Sequence, residues 1–214
     1  PTGGPKDETP PGLVRNISVP NSTHNTNMKG DYIVLFFDEP TNVDAVKSNI
    51  VGAPQIDRKP IKIKTSNVRI PTDSGRTIKG TKVLIDLNQD LDSNTTYVIN
   101  FGKGFKDFNE GKVADNISIA FSTGSIIDSL KISGNIIDND NGKFAKDYLV
   151  GIYPMHDTIN AIQDKPRYFT STDKNGDFQF EYLKKGLYNL VAFQDANSNK
   201  LFDSNSEKIA FVSE

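Results

Sequence analysis

The stretch Leu91-Asp-Ser-Asn-Thr-Thr-Tyr97-Val-Ile-Asn-Phe101 decides the fold class. An Asp-Ser-Asn turn runs directly into β-branched and aromatic residues, the side chains that suit a pleated, half-buried strand. A tyrosine at such a turn can lay its ring in a core and send its hydroxyl back to the upstream backbone, the tyrosine corner of a β-sandwich. Moving outward, strands of the same kind recur on both sides. Asp31-Tyr-Ile-Val-Leu-Phe-Phe37 is a strong apolar run stopped by Asp38-Glu39-Pro40. Thr81-Lys-Val-Leu-Ile-Asp-Leu87 alternates, and Asn116-Ile-Ser-Ile-Ala-Phe121 alternates again with Ile117, Ile119 and Phe121 on one face.

Leu13-Val-Arg-Asn-Ile-Ser-Val19 is expected to add a strand. Short segments around Ile50, Ile61 to Ile63 and Val68 to Ile70, separated by Pro54, Pro60 and Pro71, read as edge strands. Strand after strand, frequent turns and no useful helical period point to an antiparallel sandwich from residue 13 to 125. Before it, residues 1–12 hold four prolines and three glycines with almost no apolar side chains. Such a stretch cannot offset its ordering entropy by burial, so it is expected to be a flexible tether.

Residues 126–214 repeat the pattern as a second domain. Ser129-Leu-Lys-Ile-Ser-Gly-Asn-Ile-Ile137 is a long strand with Gly134 as a bulge or close-approach site. Tyr148-Leu-Val-Gly-Ile-Tyr153 reads as a buried strand. Arg167-Tyr-Phe-Thr-Ser-Thr172 and Phe178-Gln-Phe-Glu-Tyr182 flank Asn175-Gly176, the strongest hairpin signal in the chain. Gly186 to Phe193 and Lys208 to Val212 supply the last two strands, and a strand so close to the final residue suggests that the protein continues.

Composition narrows the function classes. The chain has 214 residues, 36% hydrophobic and 24% charged, with a net charge of −2. A pI near 5.8 leaves no electrostatic footprint for nucleic acid, so no nucleic-acid partner is expected. No apolar run approaches the length of a spanning helix. The absence of cysteine removes disulfides, thiolate metal sites and cysteine nucleophiles. The chain opens on Pro1, so any targeting segment lies upstream.

Five landmarks in order carry a resemblance: Phe37-Asp38-Glu39, Leu91-x-x-Asn94-Thr-Thr-Tyr97, Phe101-Gly102, Lys106-Asp107-Phe108-Asn109-Glu110-Gly111, and Phe121-Ser-Thr-Gly124. Together they resemble a bacterial Ig-like domain. Physically, Asp107 and Asn109 can hydrogen-bond their own turn while Gly111 takes a positive φ. Pro1-Thr-Gly-Gly-Pro-Lys-Asp7 is similar to the region after the lipidated cysteine of outer-membrane lipoproteins that carry this domain. An upstream lipid anchor and an outer-membrane, surface-exposed location in the cell envelope are what that resemblance implies. In the second half, Thr172-Asp173-x-x-Gly176-x-Phe178-x-Phe180 and Leu183-x-x-Gly186-x-Tyr188-x-Leu190 resemble transthyretin-like (prealbumin-like), carboxypeptidase-regulatory-like and collagen-adhesin B-type domains. The expected fold is therefore all-β: two tandem antiparallel β-sandwich domains, Ig-like and then transthyretin-like.

One loop gathers oxygen donors at a recognisable spacing. Asp195, Asn197, Asn199, Leu201 through its carbonyl, and Asp203 stand at positions one, three, five, seven and nine, with Glu207 beyond. This is the opening of a calcium-loop pattern. Lys200 stands where glycine would make the sharp turn, and Glu207 falls at position thirteen rather than twelve. Any calcium site here is expected to be weak and structural, on the order of 10⁻⁴ to 10⁻³ M. The competing reading is an Asx-rich loop that caps its own backbone.

Catalysis finds no support. His24 and His156 are the only histidines, and neither has a partner at metal-ligand spacing. No glycine-rich phosphate loop follows a strand. Two functions remain: a non-enzymatic protein-binding module of an outer-membrane lipoprotein, docking onto an outer-membrane or cell-surface protein; or a calcium-dependent surface adhesin binding glycan or host protein.

Overall fold

The structure is a computed structural model and describes residues 7–28, 32–114, 117–138, 141–155, 160–203 and 206–210. Among these the secondary structure is nearly all β, with a single four-residue helix. The chain divides into two compact units, one of Pro1–Gly52 with Ile56–Ile127 and one of Ala53–Gln55 with Asp128–Glu214.

In the first unit the elements are β1 (Tyr32–Phe37), β2 (Thr41–Asn42), α1 (Val46–Asn49), β3 (Val51–Ala53), β4 (Lys62–Pro71), β5 (Thr77–Asp86), β6 (Thr96–Asn100), β7 (Lys106–Asp107) and β8 (Ser118–Ser122). The strands form two three-stranded sheets, ordered β1-β5-β4 and β3-β6-β8, and a separate short β2-β7 pair. The β1-β5, β5-β4, β6-β8 and β2-β7 pairings are antiparallel. Alternation along β1 and β5 sends Ile33, Leu35, Phe37, Val83 and Ile85 inward, each at most 1% exposed. From β6 and β8, Tyr97, Ile99, Ile119 and Phe121 join the same cluster. Phe105 sits among the rings, 4.6 Å from Phe37 and 5.2 Å from Phe101 between centroids, with both ring pairs tilted.

The tyrosine corner forms as expected. Tyr97 is buried, its hydroxyl accepts the Asp92 N–H at 2.9 Å, and it donates to the Asp92 carboxylate at 3.1 Å. Three other expectations change. The strand expected over residues 13–19 survives only as bridges at Leu13 and Val19, paired with Phe37 and Val34. Ser18 is the reason: its hydroxyl donates to the Val14 carbonyl and accepts the Phe36 N–H, so a turn bulges between the two bridges. The segments around Ile63 and Val68 to Ile70 are one ten-residue edge strand, β4, since the polar residues Thr65, Ser66 and Asn67 pair with β5 without interruption. In the tether expected over residues 1–12, residues 1–6 lie outside the described residues, while the end is held in place. Gly12 exchanges hydrogen bonds with Asp38, and Lys112 donates to the Glu8 carbonyl.

The second unit contains β9 (Leu130–Asn135), β10 (Ile137–Asp138), β11 (Lys143–Phe144), β12 (Leu149–Pro154), β13 (Tyr168–Ser171), β14 (Asp177–Leu183), β15 (Tyr188–Phe193) and β16 (Ile209–Ala210). A four-stranded sheet runs β13-β12-β15-β16, with the pairs β9-β14 and β10-β11 beside it. Val150, Ile152, Tyr168, Phe178, Phe180, Leu183 and Ala192 form its core. Gly134 is a close-approach site, because an added Cβ would stand 2.8 Å from the Phe178 ring.

The expected hairpin at Asn175-Gly176 is corrected. Gly176 takes a positive φ of 75°, but the turn carries the chain from one sheet to another: β13 pairs with β12 and β14 with β9. Asp173 makes the difference by accepting the N–H groups of both Asn175 and Asp177, while Asn135 ties the Asn175 carbonyl to β9. Beyond Phe180 the register shifts and Tyr182 adopts φ 59°, so Leu183 takes the buried place expected of Tyr182.

Candidate functional site

The candidate site is the loop between β15 and β16. Its carboxylates are spent on the loop's own backbone. Asp195 accepts the N–H groups of Asn199 at 3.1 Å and Lys200 at 3.0 Å, one on each oxygen. Asn197 accepts from Asn199 N–H, and Asn199 from Leu201 N–H, each through its side-chain oxygen. Both asparagines then donate their amide groups to one oxygen of Asp203, at 2.6 and 3.1 Å. Glu207, 9% exposed, bridges the ends by accepting the N–H groups of Ala196 and Asp203, both at 2.9 Å.

This network fixes the asparagine orientations from both sides, since each oxygen faces a backbone donor and each nitrogen faces a carboxylate. Ser198 and Lys200 both take left-handed backbone conformations, at φ 60° and 64°. Lys200 thus adopts the conformation that the pattern assigns to glycine, and its ammonium lies 4.1 Å from the centroid of Phe169. The Leu201 N–H, rather than a free carbonyl, marks that residue's part in the network.

Calcium needs six or more converging oxygens. In this arrangement the oxygens of Asp195, Asn197, Asn199 and Glu207 face N–H donors, and Asp203 is held by two amides. Among the described residues no three acidic or histidine side chains converge closely enough to hold a metal ion. The donor set in this conformation is that of a self-capped loop.

A second polar cluster was not read from the sequence. Glu39, at the end of β1, has a buried carboxylate oxygen with no hydrogen-bond partner among the described residues. Its pKa is pushed up to about 7, first by desolvation and then by the charges of Asp107, Asp7, Asp38 and Glu110. Asp107 is itself buried and accepts the N–H groups of Asn109 and Glu110, while Gly111 takes φ 69°, the turn chemistry expected of that motif. The Asp38-Glu39 doublet was the visible signal; only folding brings the remaining acids to it.

His24 lies in an Asx turn, its ring nitrogen 2.9 Å from the Thr23 hydroxyl. His156 lies outside the described residues. An open groove of about 660 Å³ in the second unit is lined by Thr170, Asp173, Asp177, Phe178 and Gln179. Its two carboxylates are engaged, Asp173 with turn N–H groups and Asp177 with Asn135.

Residues 7–123 match the family model of the bacterial Ig-like domain. That match spans more than half of the chain, which therefore belongs to the bacterial Ig-like domain family, a family of non-catalytic structural domains. No curated protein matches the sequence. Among solved structures, the N-terminal part of the bacterial S-layer protein SbsC is similar at 15% identity and a TM-score of 0.27. The alignment covers 88% of this chain and 43% of that one, so the chain spans less than half of its length.

Proposed function

We propose that the chain is a non-enzymatic structural and protein-binding module of a cell-envelope protein, an accessory part of an outer-membrane lipoprotein that docks onto an outer-membrane protein complex. One observation carries this reading: a chain that belongs to the Ig-like family spends the polar groups of its candidate site on its own backbone. Such groups hold loops in place and leave no nucleophile–base pair poised for chemistry. The second unit, with its β13-β12-β15-β16 sheet beside the β9-β14 pair, is proposed to be a transthyretin-like sandwich. A lipid anchor upstream of Pro1 belongs to the same proposal. The test is affinity purification of the full-length protein from its native membrane, followed by identification of what co-purifies. A stable outer-membrane partner is expected, and recovery of none counts against the reading.

The alternative, a calcium-dependent surface adhesin binding glycan or host protein, is favoured by the three carboxylates of the 195–207 loop. It requires Asn197 and Asn199 to exchange their present partners for the ion. Ligand binding that disappears with a chelator, together with a melting temperature that rises in millimolar calcium, would establish it over the docking module.

A further inference from the structure

Strand β4 closes the β1-β5-β4 sheet on one side, and its outer edge meets no other strand among the described residues. Edge strands are ordinarily kept short, bulged or covered, because a row of unpaired backbone groups is a template for another strand. β4 lacks these three guards. It runs ten residues, pairs with β5 residue for residue without a register shift, and is exposed from Lys64 to Asn67 and at Arg69.

Hydrogen-bond directions across the sheet fix which groups of β4 face outward. Val34 exchanges both backbone bonds with Val19, and the Phe36 carbonyl accepts the Val14 N–H, so these residues of β1 point away from β5. In a strand the N–H and C=O of one residue point the same way, and the direction alternates from residue to residue. Ile33, Leu35 and Phe37 therefore bond to β5, and on its other side Lys82, Leu84 and Asp86 bond to Ser66, Lys64 and Lys62 of β4. The N–H and C=O groups of Ile63, Thr65, Asn67 and Arg69 are left pointing out of the sheet, and no hydrogen bond among the described residues engages them. They form a strip roughly 20 Å long at the rise of an extended strand.

This strip is complementary to itself. Two copies of β4 running antiparallel must set outward residue against outward residue, so the two-fold axis falls on a residue and never between two. An axis at Ser66 sets Ile63 against Arg69, Thr65 against Asn67, Lys64 against Val68 and Lys62 against Ile70. Every outward residue of both copies then has a partner, and no cation faces a cation. An axis at Thr65 puts Arg69 opposite Ile61, outside the strand; an axis at Asn67 puts Ile63 opposite Pro71, which has no N–H to give. Axes further out pair fewer residues. Those at Ile63, Lys64 and Arg69 also bring Lys62 against Lys64, or Lys64 or Arg69 against itself, and like charges directly opposite are destabilising. The edge cations thus select a register and do not forbid pairing. We propose that β4 is a self-association edge: two copies of this chain pair antiparallel through β4 about an axis at Ser66, giving one continuous six-stranded sheet. A single strand–strand contact is small beside a standard interface, so the dimer is weak, with a dissociation constant on the order of 10⁻⁴ M.

The test is sedimentation equilibrium of the full chain at concentrations up to about 1 mM, together with oxidative cross-linking. The protein has no cysteine, so one introduced thiol reports one position. Ser66→Cys sets two thiols on the axis, in a pair whose Cα atoms stand about 4.5 Å apart, within reach of a disulfide. It is expected to form a disulfide-linked dimer several-fold faster than Asn67→Cys, which lies on the axis of the neighbouring register. Ser66→Lys puts like charges on the axis and is expected to weaken association several-fold, with the melting temperature of the dilute protein unchanged. Thr65→Pro removes an outward N–H that β5 does not use, and is expected to abolish the dimer while the β4-β5 ladder stays intact. A chain monomeric up to that concentration overturns the proposal, whether the edge then stays bare or takes a strand from another protein. So does a dimer that Ser66→Lys and Thr65→Pro both leave untouched, or one that Asn67→Cys cross-links faster than Ser66→Cys. A partner can co-purify with monomer or dimer alike, so this inference and the docking reading fail separately.

Discussion

At the scale of single residues, Glu39 is the least comfortable group described. Its folded pKa of about 7 lies above the ordinary 4.5, so folding favours the protonated form. The stability this contributes is full below about pH 4.5 and is lost as pH rises through 7. Glu39→Gln is therefore expected to match the wild type near pH 4 and exceed it near pH 8 by about 1–2 kcal/mol after allowance for solvent screening. Urea midpoints of both proteins across that range check it. A constant difference at all pH values would show that the carboxylate is not the cause. Tyr97 is the opposite case, a polar group whose burial is fully matched. Tyr97→Phe removes a hydroxyl that both accepts from and donates to Asp92, and is expected to cost about 1 kcal/mol with no change of fold, read from the same urea curves.

At the scale of elements, the 195–207 loop behaves as a short piece of structure built from side chains. Glu207→Gln keeps one acceptor oxygen and is expected to cost about 1 kcal/mol, whereas Glu207→Ala leaves the N–H groups of Ala196 and Asp203 without partners and costs about 1–3 kcal/mol. Thermal melts of the two variants should fall in that order. The same melts in millimolar calcium are expected to match those in chelator; a calcium-dependent rise would mean that the loop reorganises around an ion. The β9-β14 pair makes a sharper steric claim. Gly134→Ala would put a methyl group 2.8 Å from the Phe178 ring, and is expected to destabilise by about 1–3 kcal/mol through overpacking. Pairing that variant with Phe178→Leu should recover part of the loss if the clash is the cause.

At the scale of the whole molecule, the second unit takes in Ala53–Gln55, residues far from the rest of it in sequence, and the Gln55 N–H donates to the Arg167 carbonyl at 2.9 Å. A fragment starting at Asp128 leaves that carbonyl without this donor and removes Ala53 from the core. It is expected to melt several degrees below the same residues in the full chain, checked by calorimetry of both. Equal melting temperatures would mean that Ala53–Gln55 contributes nothing.

Local chemistry made much of this legible in advance. Alternation in Thr81 to Leu87 and Asn116 to Phe121 named the buried face because one side of a strand always faces the core. Asn94-Thr-Thr-Tyr97 announced its corner because turn, strand and hydroxyl partner lie within six residues. The oxygen-rich composition of the 195–207 loop was equally plain. What the oxygens do there was not, because the same Asp and Asn side chains serve an ion or a backbone N–H, and the choice depends on how the loop closes. The Asn175-Gly176 turn was visible, but whether it joins paired strands depended on Asn135, forty residues away, tying the turn to β9. Glu39 belongs to the same class. Charges distant in sequence met only after strands had paired, so their energies are properties of register and packing, which no local stretch encodes.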